Sequence, residues 1–142
     1  MIDVGDKEDV SRIARACGRI RLGRESIEAV RAGKVNKGDV MESARIAGTL
    51  AVKRTHELVP YCHQVPLDYV GFCLSLDDEG MACECEVRAC YRTGVEMEAL
   101  LGIEIALLTI WDMVKYLEKD YRGQYPSTEI SEIKVIEKKK HI

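Results

Sequence analysis

The stretch LDYVGFCLSLDDEGMACECEVRACY, residues 67–91, decides the fold. Apolar and polar side chains alternate along both arms, and the DDEG between them is turn chemistry, so the pattern predicts an antiparallel hairpin. On its N-terminal side, Ala14, Ala16, Ile20 and Leu22 alternate with Arg15, Cys17, Arg19 and Arg21, which predicts a half-buried strand over 12–22. A short helix follows over 26–31, ended by Gly33. Asp39 then stands three residues before Glu42, a capping-box pattern that opens a helix running to about residue 58 and stopping near Pro60. Its small residues Ala44, Ala47, Gly48 and Ala51 fall in one stripe, against which something packs closely.

On the C-terminal side of the hairpin, a helix is expected from residue 95 to about 119, with Thr93 and Glu96 spaced as a second capping box. Its run LLGIEIALLTIW is so apolar that most of its circumference must be buried. Turn residues Gly123, Pro126 and Ser127 precede a last strand over 128–138, and KKKH reads as a solvated tail. Residues 1–9 read as an arm. The order strand, helix, strand, strand, helix, strand is the split βαβ arrangement of a ferredoxin-like α+β sandwich, a four-stranded antiparallel sheet with helices on one face. The open face then needs a partner or polar cover, and the apolar helix suggests a subunit interface.

The whole chain, 1–142, reads as a single domain: with 142 residues, 46% hydrophobic and 32% charged, it is large enough for its own core. A formal charge of -3 argues against a dedicated nucleic-acid binder. Nothing resembles a signal peptide or a membrane span, so the expected location is the cytoplasm and no membrane partner is expected. In a reducing cytosol the six cysteines are expected to act mainly as buried small hydrophobes. Cys83-Glu84-Cys85 puts two thiols on one strand face but lacks the gap and the second ligand pair of a zinc site, so no metal is expected.

Several polar residues resist a purely structural explanation. Glu96 is explained equally by a cap or by a ligand role, but a cap does not account for Glu98 among core residues, because the helix dipole favours a first-turn acid by only a few tenths of a kcal/mol. Asp112 and Lys115 lie one turn apart: an ordinary surface ion pair, or an acid and an amine poised for proton transfer. Lys37-Gly38-Asp39 stands at a helix mouth, where free amides attract anions. His63 lies in a loop restrained between Pro60 and Pro66, beside Cys62; most lone histidines are structural. Glu98 and Asp112 are fourteen residues apart, ~21 Å along a continuous helix, so one small pocket is hard to line with both from one chain unless it crosses a dimer interface or the helix breaks after the VEME turn.

Together NKGDV, ARIAG, AVKRT, VPYCH, TGVEMEAL and LTIWDMVK, in this order, resemble the molybdenum cofactor biosynthesis protein C family from residue 2 to about 119. The resemblance implies an enzyme that rearranges 3',8-cyclo-7,8-dihydroguanosine triphosphate into cyclic pyranopterin monophosphate with release of pyrophosphate. It also implies a ferredoxin-like fold and a homohexamer of three dimers with active sites at dimer interfaces. By the same resemblance Asp112, Lys115 and Lys37 are catalytic. Tyr61, Cys62, His63, Met97, Glu98 and Glu96 bind substrate, and Thr93, Lys53 and Arg12 lie near the phosphates or pocket rim. No metal or organic cofactor is implied. The family's CHPL is here CHQVPL, which leaves the loop path after His63 open. The rival readings are a non-catalytic ferredoxin-like ligand-binding module, an RNA binder, for which the hairpin offers Tyr69, Phe72 and Tyr91 without the expected motif, or a scaffold for a partner enzyme.

Overall fold

The computed structural model describes residues 1–141. Eight elements follow one another: β1 (Val10–Arg21), α1 (Arg24–Ala32), α2 (Val40–Lys53), α3 (Thr55–Leu58), β2 (Tyr69–Leu76), β3 (Gly80–Tyr91), α4 (Glu96–Glu118) and β4 (Glu129–His141). The four strands form one antiparallel sheet in the order β2-β3-β1-β4, the ferredoxin-like arrangement expected. The hairpin closes as read: the Asp77 amide donates to Gly80 O at 2.9 Å, and Asp77 Oδ1 accepts from the Glu79 and Gly80 amides.

One sheet face is apolar because alternate residues of β1 and β3, including Ala14, Ala16, Ile20, Met81, Cys83, Cys85 and Val87, are buried chiefly under α4, with α2 packed beside it over β2. The opposite face carries ion pairs, Arg15 with Glu84 at 2.9 Å and Arg19 with Asp77 at 2.9 Å, which supply its polar cover. The small-residue stripe of α2 does admit a close neighbour. A Cβ on Gly48 would lie 2.5 Å from the Phe72 ring and 3.0 Å from Gly102 O, so α2 and α4 touch nearly backbone to backbone. Phe72 is therefore a core ring, not a base-stacking platform.

Several expectations are corrected. The helix expected to reach residue 58 is interrupted at Arg54, whose φ of -112 and ψ of 13 leave the helical region and turn its amide to Ala51 O at 3.0 Å; the buried Thr55 then opens the short α3. Asp39 caps α2 by accepting from the Glu42 amide at 3.0 Å, but the Glu42 carboxylate turns to Arg45 instead of completing the box. The Thr93 to Glu96 box does not form. Val95 holds the N-cap position, fully buried, and the Glu96 carboxylate folds over Gly94 towards Lys138 at 3.5 Å. KKKH is not a loose tail: Lys138, Lys139, Lys140 and His141 pair with Ala14, Ile13, Arg12 and Ser11 of β1. An edge strand accommodates such a lysine run, whose charge discourages pairing with other chains. Of the cysteines only Cys83 and Cys85 are buried, their thiols pushed up to about 12 by desolvation; Cys17 and Cys62 are half-buried, Cys73 and Cys90 exposed.

Candidate active site

The continuous helix α4 is the spine of the site and carries a polar cluster at each end. Near its C-terminal end, Asp112 accepts from two lysines: Lys37 Nζ at 2.9 Å from Oδ2 and Lys115 Nζ at 3.0 Å from Oδ1. Lys37 Nζ also reaches the Asp112 carbonyl at 3.1 Å. The hydrogen bond from Lys37, then that from Lys115, holds the Asp112 carboxyl below its ordinary range, while Asp112 holds the Lys115 ammonium above its own. All three side chains remain about half exposed, 44%, 54% and 42% for Lys37, Asp112 and Lys115, so they are open to a ligand. The pair expected from i,i+3 spacing is thus a triad, completed by a residue 75 positions away.

Packing explains the meeting. Val52 lies over Gly102 while Lys37, just before α2, meets Asp112, so α2 and α4 run antiparallel. The C-terminal end of α2, with exposed Lys53, therefore lies towards the start of α4, and the loop after α3 returns there. Val65, buried, and Leu67, packed on the core, pin that loop beyond His63, where the proline stands two places later than in the family's motif.

At this N-terminal end Glu98 is 3% exposed. Its Oε1 has no hydrogen-bond partner among the described residues, and Cys62 Sγ lies 4.0 Å from Oε2. Burial, reinforced by Glu96, raises the Glu98 carboxyl to about 7, against a weaker opposing bond from its own amide. Burial, then Glu98 and Glu96, raises the Cys62 thiol, which makes it a poor nucleophile. His63 is half-buried in the same loop, while Tyr61 and Met97 are exposed. Arg12 is buried and donates through Nε and Nη2 to Tyr91 O and Arg92 O at 3.4 and 3.3 Å, holding the segment that contains Thr93.

The structure thus brings Lys37, Asp112 and Lys115 together, and separately Cys62 with Glu98. It does not join the two groups within one chain: fourteen helical residues, ~21 Å, stand between Glu98 and Asp112. Among the described residues no group of three or more His, Cys, Asp or Glu side chains is placed to hold a metal. None of the helices among those residues is long and apolar enough to cross a membrane. Two site neighbours were missed in the sequence. Lys138 was hidden in the lysine run, and Tyr116 is signalled only by its i+4 spacing from Asp112.

A model of the MoaC family matches residues 1–141. The chain belongs to the MoaC family. Three similar MoaC relatives bear the description probable cyclic pyranopterin monophosphate synthase. The Thermococcus kodakarensis protein is 56% identical over 99% of this chain and 90% of its own length. That of Thermococcus onnurineus is also 56% identical, over 99% and 90%, and that of Pyrococcus furiosus is 54% identical over 97% and 88%. The family match extends past residue 119, where the motif resemblance ended, to take in β4.

Proposed function

We propose that this MoaC-family chain is a cyclic pyranopterin monophosphate synthase, a cytoplasmic pyrophosphate-releasing lyase acting on 3',8-cyclo-7,8-dihydroguanosine triphosphate, with each active site shared by two chains of a homohexamer. The observation that carries the reading is the pair of incomplete half-sites on α4: a buried carboxylate with an unpartnered oxygen at one end, and a lysine-aspartate-lysine cluster at the other. A second copy that brings its Lys37, Asp112 and Lys115 to the Glu98 end of the first completes both. Exposed Ile46 and Leu50 on α2, with Met97 and Leu108 on α4, leave an apolar strip for such a contact.

The chemistry fits these groups. Forming a cyclic monophosphate with loss of pyrophosphate requires a substrate hydroxyl to attack the α-phosphorus while the bond to the β-phosphate oxygen breaks. Lys37 and Lys115 neutralise the charge that builds on the departing pyrophosphate, and Asp112, held ionised, aligns them and takes protons during ring opening and closure. Glu98 Oε1 accepts from an N–H of the purine-derived ring, with His63 and Met97 beside it.

The test supplies the cyclised triphosphate to purified Lys37→Ala, Asp112→Asn and Lys115→Ala and measures the pterin product. Each is expected to lose at least ~100-fold in turnover while staying folded. Near wild-type turnover in all three defeats the assignment, and an absence of product from the wild type without a partner protein favours a scaffold.

A further inference from the structure

Lys37 sits on a tight turn, not on a helix. The Gly38 amide donates to Val35 O at 3.0 Å, and Gly38 adopts φ 112, a conformation suited to glycine. Buried Val35 anchors the turn on one side and the Asp39 cap of α2 on the other. The Asn36 amide, between these anchors, takes no part in the turn's own hydrogen bond. It donates to the hydroxyl of Tyr116 on α4 at 2.9 Å. Tyr116 follows Asp112 by four residues and so shares its helix face. Adjacent turns of α4 therefore hold both the Lys37 ammonium, through Asp112, and the backbone beside it, through Tyr116.

A lysine has a long flexible stem, so an ion pair alone leaves its backbone free to wander. A second tie one residue away restricts the positions from which the ammonium meets Asp112. We infer that Tyr116 is a positioning residue for the reaction: through the Asn36 amide its hydroxyl fixes Lys37 in the geometry in which Asp112 and the substrate share the ammonium. The inference rests on the catalytic role proposed for Lys37.

Tyr116→Phe keeps the ring and removes the acceptor. An exposed hydrogen bond of this kind is worth a factor of about three to ten in the ratio of held to released conformers. Two measurements on the full-length assembled protein test this. One is the rate of amine acylation at Lys37 without substrate, relative to exposed Lys7; the other is steady-state turnover. The expected result is a rise in Lys37 labelling and a fall in kcat, each about two- to threefold because the two fold-changes multiply to the factor just given, with KM and Tm little changed. Unchanged labelling overturns the inference, whatever happens to kcat or Tm. Increased labelling with unchanged kcat also overturns it, provided that Lys37→Ala abolishes turnover. Full turnover in Lys37→Ala removes the catalytic role of Lys37 and the functional inference with it, while increased labelling still supports the structural tie.

Discussion

Glu98→Gln is expected to stabilise the ligand-free protein at pH 8 while impairing catalysis. In the fold the neutral acid is favoured: the carboxyl titrates at about 7 instead of the ordinary 4.5, chiefly because it is buried. That gap corresponds to ~3 kcal/mol. The contribution is fully present below pH 4.5, where both folded and unfolded forms are neutral, and is lost as the pH rises through about 7, where the folded carboxyl must ionise. Glutamine never ionises, but its amide is also incompletely paired at this position, which returns roughly 1 kcal/mol. The net gain at pH 8 is then ~2 kcal/mol. For a chain of this length the unfolding entropy is about 0.3 kcal/mol/K, so Tm rises by roughly 7 °C. Thermal unfolding of wild type and variant from pH 4.5 to 8.5, at one protein concentration, checks both size and sign: the difference in Tm grows with pH up to about 7 and then levels off. A variant at pH 8 no more stable than wild type refutes the reasoning, because it means that Glu98 is ionised and well paired in the assembled protein.

Two further outcomes follow. Subunit exchange between Lys37→Ala and Glu98→Gln proteins is expected to restore turnover in hybrid dimers, because one of the two shared sites regains every group; Lys37→Ala with Asp112→Asn is not, since these residues occupy one cluster of one chain. Confirmed exchange without recovery in the first mixture contradicts the shared site. Gly102→Val forces side-chain atoms into a space where even a Cβ would lie 2.6 Å from Val52 and 3.0 Å from Phe72. The expected loss is about 1–3 kcal/mol in denaturant unfolding, with kcat reduced because α2 carries Lys37 away from Asp112.

Local pattern in the sequence determined a great deal. Alternation over residues 67–91, the apolar run of α4 and the Asp39 cap are properties of neighbouring residues, and a pleat of period two or a helix of 3.6 displays them directly. The motifs around Lys37, Cys62, Glu98 and Asp112 marked the family in the same way. Where local signals competed, the outcome needed three dimensions. Arg54 left helical geometry and interrupted a helix that spacing would have continued. Glu96 left its capping box for Lys138 because β4 brought that lysine across the sheet edge.

The tertiary structure alone decided which lysine completes the Asp112 pair and how deeply Glu98 is buried. Both depend on α2 lying antiparallel and almost in backbone contact with α4, through Gly48 and Gly102. No periodicity records a contact between residues 75 positions apart, and burial is fixed by what packs on top, not by the residue itself. The same rigid helix that makes Glu98 and Asp112 neighbours in the motif pattern holds them ~21 Å apart in space. That separation is the physical reason for seeking the rest of the site on a second chain.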